Sequence, residues 1–139
     1  MKIKSILVVF LGTLMSGSVL AGLTQPAEVT IDTENRLATG DMNTARRSDN
    51  EFAFIGCGVR VISVSETEVI NFGFCQAGIG EAEEERITCF TQNAQLLDGI
   101  KSIADYSYVT FSWDENGDCT RIGNSTQSFY LPKVKVKKK

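Results

Sequence analysis

Three groups of residues have the types and spacings from which a chemical site could be built. The first lies in D-E-N-G-D-C, where Asp114, Asn116 and Asp118 occupy every second position, as the opening ligands of a calcium loop do. An EF-hand loop starting at Asp114 needs Gly at its sixth position and Glu at its twelfth, and this chain has Cys119 and Ser125 there. The same stretch carries Asn116-Gly117 between two alternating runs, the signal for a two-residue hairpin turn with positive φ at both central residues. The sequence therefore predicts a chain reversal and no metal site.

The second group is Cys57, Cys75, Cys89 and Cys119, spaced by 18, 14 and 30 residues. No close C-x-x-C pair is present and the chain has no His, so neither zinc nor a His-activated nucleophilic Cys is expected. Two disulfides are. Pairing Cys75 with Cys89 sets Phe74 opposite Phe90, whereas Cys57 opposite Cys75 would place Ile55 and Val61 on the face of Asn71 and Gly73. Register thus favours Cys75–Cys89 and, by elimination, Cys57–Cys119. A two-residue turn would set Cys119 opposite Asp114, putting that second bond on the side of the sheet away from Phe111 and Trp113.

The third group is hydrolytic in type. Lys101, in D-G-I-K-S, could activate a Ser, and Glu81, Glu83, Glu84 and Glu85 could supply paired carboxylates. Their settings read instead as a solvated helix face and a solvated loop. A-G-I-G-E has acids where a phosphate would need cations, and no cofactor is expected. Asn124-Ser125-Thr126 fits an N-glycosylation acceptor.

The elements that must position these residues begin after a leader. Lys2 and Lys4, the apolar run 6–15 and Val19-Leu20-Ala21 read as a cleaved export signal over residues 1–21. Its apolar core is shorter than the roughly 20 residues a spanning helix needs, so no transmembrane segment is expected after cleavage. The cysteines then enter an oxidising compartment, periplasmic or secreted.

Residues 22–51 read as a polar, extended lead-in, with E-V-T-I-D as a candidate edge strand. Residues 52–132 read as a single α+β domain, with strand patterns at 52–64, 69–77, 86–91, 106–113 and 118–123 and a further candidate at S-F-Y-L. Apolar residues at Leu96, Leu97, Ile100, Ile103 and Ala104 form one stripe of an amphipathic helix over 92–104. The expected architecture is a mainly antiparallel sheet of about five strands with one packed helix. The expected core is Phe54, Val59, Val61, Phe72, Phe74, Ile87, Phe90, Leu96, Leu97, Ile100, Ile103, Val109, Phe111, Trp113 and Ile122. Residues 133–139 read as a basic, disordered tail.

Residues 22–132 carry 17 acidic against 7 basic side chains. Such a body repels nucleic acid and anionic lipid, leaving Lys133, Lys135, Lys137, Lys138 and Lys139 as the contacts an anionic surface could use. With no catalytic constellation evident, the sequence points to an exported, disulfide-stapled, non-enzymatic module that binds a protein or envelope component. Tyr106, Tyr108 and Tyr130 are its candidate contact patch. The alternatives are a small secreted hydrolase working without His, and a domain held to an anionic surface by the lysine tail.

Overall fold

Side-chain alternation of period two organises most of the chain described by the computed structural model, residues 22–133. The export signal at 1–21 and Lys135, Lys137, Lys138 and Lys139 lie outside the described residues. The elements in order are β1 (Thr30–Asp32), β2 (Leu37–Asp41), α1 (Met42–Arg47), β3 (Phe54–Ser63), β4 (Val69–Gly78), β5 (Arg86–Thr91), α2 (Ala94–Lys101), β6 (Tyr108–Trp113) and β7 (Cys119–Ser125). They form an α+β fold of two antiparallel sheets, β1-β2-β6-β7 and β3-β4-β5. S-F-Y, a strand candidate by composition, is a short 3-10 turn.

Residues 30–47, read as lead-in, hold two strands and a helix, and β2 lies inside its sheet beside β6. Its inward residues are small: Ala38 and Gly40 are buried, and Ala38 faces Phe111 across the ladder. Strands that bury small side chains carry little hydrophobic signal, which is why this one is inconspicuous. Asp41 ends it. One of its carboxylate oxygens accepts the Thr44 N–H (2.7 Å) and caps α1, while the other accepts the Ala27 N–H (2.6 Å) and ties down the preceding segment.

The two sheets and α2 share one core, in which Ala38, Val109, Phe111 and Trp113 meet Ile55, Cys75, Ala77, Cys89 and Ile100. Asn93 caps α2 through the N–H groups of Gln95 and Leu96, and the helix buries Leu97 and Ile100. These two settle over Gly73 of β4, where a Cβ would collide with the end of Ile100 and lie 3.0 Å from Leu97. Gly73 on the inner face is therefore a seat for the helix.

Disulfide pairing differs from the register argument. The bonds are Cys57–Cys75 and Cys89–Cys119. Both expected facing pairs, Cys75 with Cys89 and Phe74 with Phe90, are present, but Cys57 also faces Cys75 from the opposite side and takes the bond. The objection to that alignment dissolves: Gly73 is covered by α2, and Asn71 and Val61 lie out on an exposed hairpin.

Cys119 is released for Cys89 by its turn. Asp114 N–H donates to Asp118 C=O (3.0 Å) and Gly117 N–H to Asp114 C=O (3.2 Å), enclosing Glu115, Asn116 and Gly117. Only Gly117 takes a positive φ, 81°. A three-residue loop of this kind, with Gly in the left-handed position, replaces the expected Asn-Gly turn. One extra residue, with a register shift beside Trp113, sets Cys119 opposite Trp113 on the inner face.

Asp114 holds this turn by accepting the Asn116 and Asp118 N–H groups (2.8 and 3.0 Å). Those bonds, Asp118's first, favour its ionised form and lower its pKa below the ordinary 3.8. Its contribution to stability is thus present above 3.8 and is lost as pH falls through the lowered value. An NMR titration should show the Asp114 carboxyl midpoint below 3.8, and Asp114→Ala should remove that part of the acid dependence. Gly73→Val should cost about 1–3 kcal/mol in urea unfolding by overpacking against α2. Gly56→Ala, where a Cβ meets nothing within 4 Å, should stay within about 0.5 kcal/mol.

Candidate functional site

On β4 the residues Gly73, Cys75 and Ala77 are buried, so alternation turns Phe72, Phe74 and Gln76 outward. Register extends this outer face in rows: Gly58–Phe74–Phe90, Arg60–Phe72 and Ile62–Ile70, with Gly56–Gln76–Thr88 beyond. Phe74 lies against Gly58, where a Cβ would stand 2.8 Å from its ring. The Arg60 guanidinium sits 4.8 Å from the centre of the Phe74 ring, and Phe72 and Phe90 meet in a tilted pair at 6.2 Å. Gln76 Nε2 donates to Thr88 Oγ1 (3.1 Å). Phe90 is 50 % exposed and Ile62 44 %, with Phe54 and Ile70 also open. Beside Phe72 and Phe90 an open depression of about 470 Å³ is completed by Thr91, Gln92 and Asp118.

Charge sets this sheet apart. Its three strands carry Arg60 and Arg86 and no carboxylate, while acids crowd the turns at either end, Glu66 and Glu68 at one and Glu81, Glu83, Glu84 and Glu85 at the other. Arg86 is held to the Gly80 carbonyl (2.8 Å) with its guanidinium over Phe52. Past Gly73, β5 no longer pairs with β4, so β3 and β4 run on as a two-stranded arm with Val61 67 % exposed.

The rim at β3 is open as well. Cys57 and Cys75 have Cα atoms 4.0 Å apart, the close class of antiparallel pair that exchanges no backbone hydrogen bonds. Ile55, Cys57, Val59, Val61 and Ser63 therefore aim their N–H and C=O groups away from β4. Among the described residues no backbone hydrogen bond reaches them from another element.

The residues singled out from sequence fall elsewhere. Tyr108 and Tyr130 stack at 5.6 Å, and Tyr130 is buried, with burial first and Tyr108 second pushing its phenol up from 10.0. Tyr106 alone of the three is well exposed, at a left-handed turn with φ 62°. Lys133 is exposed. Lys101 pairs with Asp98 (3.2 Å) on the outside of α2, and no Ser is bonded to it among the described residues. Glu85 accepts the Ala82 N–H (3.1 Å) and so serves its own loop. Asn124 donates to Ser102 Oγ (2.9 Å). The Sγ atoms of Cys75, Cys89 and Cys119 lie within 4.8 Å of one another, as metal ligands would, but all three are consumed in disulfides.

Phe54, Phe72, Phe74 and Phe90, counted toward the core by composition, form the open face instead. The signal was in the register itself: if Cys75 and Cys89 face inward, Phe74 and Phe90, one residue away on each strand, face out. The chain matches no protein-family model, no curated protein and no solved structure. Among the described residues no helix is long and apolar enough to cross a membrane.

Ile62→Lys on the open face should change stability by no more than about 0.5 kcal/mol. Ile100→Ala beneath the sheet should cost about 2–5 kcal/mol, and urea titration of the two variants checks the contrast.

Proposed function

We propose that this chain is an exported, disulfide-stapled, non-enzymatic module that binds a protein partner on the outer face of β3-β4-β5. The observation that carries the reading is the outward cluster in which Phe90, Ile62 and Ile70 are exposed and Phe72 and Phe74 half-buried, on strands that hold no carboxylate. Contiguous exposed apolar surface of this kind marks interaction sites, and aromatic and Arg side chains are the favoured anchors within them. The open rim of β3 suits an extended segment of the partner, which would take up the free backbone groups of Val59 and Val61 while its side chains lie over the phenylalanines. Arg60, on that strand, favours a partner with a carboxylate there. Two disulfides in so small a domain support an oxidising compartment, in keeping with the leader read at residues 1–21.

A photo-crosslinking residue placed at Phe90 or Ile62 should capture one protein species in the exported fraction, and the same residue at Glu34 should not. The double variant Ile62→Lys, Phe90→Lys should abolish capture from a probe at Ile70 while leaving the fold intact. Equal capture from Glu34, or none from the face, would refute the reading.

A further inference from the structure

Cys75 lies on the central strand of its sheet and faces a cysteine on either side, Cys57 across β3 and Cys89 across β5. It is bonded to the first, yet its sulfur lies within 4.8 Å of both sulfurs of the second bond, Cys89–Cys119. The four cysteines are unequally accessible: Cys57 is half-buried on the rim strand, while Cys75 and Cys89 are fully buried and Cys119 nearly so. A small thiol from solvent therefore meets Cys57 first.

We propose that this row is a thiol–disulfide exchange site, at which a small monothiol is taken up at Cys57 and a free protein thiol appears at Cys119. The incoming thiolate attacks Cys57 Sγ, forming a mixed disulfide there and breaking Cys57–Cys75, with the electron pair departing on Cys75. The Cys75 thiolate then attacks Cys89 Sγ, forming Cys75–Cys89 and breaking Cys89–Cys119, with the electron pair departing on Cys119, which takes up the proton. One thiolate is consumed and one is produced, and no other oxidant or reductant is needed. The new bond joins residues that already face each other in the β4–β5 ladder, so the backbone need not change partners. What changes is the staple: Cys89–Cys119 links the two sheets, and Cys75–Cys89 lies within one.

Incubation of the wild-type protein with glutathione at mildly alkaline pH, followed by acid quench, maleimide labelling and peptide mapping, tests the relay. The expected product carries glutathione on Cys57, a Cys75–Cys89 bond and maleimide on Cys119, and it accumulates faster as pH rises. Cys57→Ser starts the second step without any added thiol; label should be lost from Cys75 and gained at Cys119. Cys119→Ser leaves Cys89 free to attack Cys75 Sγ, forming Cys75–Cys89 and breaking Cys57–Cys75 with the electron pair departing on Cys57, so label should be divided between Cys89 and Cys57. Label confined to Cys75 in the first variant and to Cys89 in the second, or a wild-type adduct found on Cys89 or Cys119, would overturn the proposal. Absence of any glutathione adduct on folded wild-type protein would overturn it too, and that measurement does not depend on either variant folding.

Discussion

Along β4 the interior receives only small side chains, Gly73, Cys75 and Ala77, and much else in this molecule depends on that restriction. A glycine there lets α2 press Leu97 and Ile100 close to the backbone. The neighbouring cysteine brings the disulfides into the same layer. Since a strand alternates strictly, the large residues between them have nowhere to go but outward. The buried contacts and the exposed phenylalanines are thus two results of one pattern, and moving β4 by one residue would exchange them.

The acidic residues follow a related division. A body with 17 carboxylates and 7 cations in residues 22–132 repels most anionic neighbours and other copies of itself. Keeping those acids off β3, β4 and β5, with Asp118 only at the rim of the depression, leaves one face where another protein meets less of that repulsion. Few of the charges are spent on internal pairing: Arg36–Glu115 and Lys101–Asp98 are both exposed, and such pairs contribute little.

Strand positions on β3 to β7 and the presence of α2 were legible in the sequence, because β-branched and aromatic alternation and an apolar stripe are strong local signals, although α2 ends at Lys101 and leaves Ile103 and Ala104 of that stripe outside it. The facing of Cys75 with Cys89 was legible too. What was not legible was competition: pairwise register reasoning treats each hairpin separately, and a central strand has two neighbours wanting the same cysteine. The helix over Gly73 is a tertiary contact that no property of residues 69–77 announces. β2 was missed because Ala38 and Gly40 read as polar-segment filler, and the phenylalanine face was missed because hydrophobicity says that a residue seeks cover without saying whether cover is supplied within the same chain.

The turn from Glu115 to Gly117 has a consequence for how this chain can vary. Surface loops ordinarily tolerate a residue gained or lost, but here loop length decides on which side of its sheet Cys119 emerges. A single deletion would aim that sulfur at solvent and strand Cys89 inside, leaving two odd thiols in place of a bond. In an oxidising compartment such a chain would be drawn toward covalent pairing with its neighbours, so the spacing between Trp113 and Cys119 bears on the staple as directly as the cysteines themselves do.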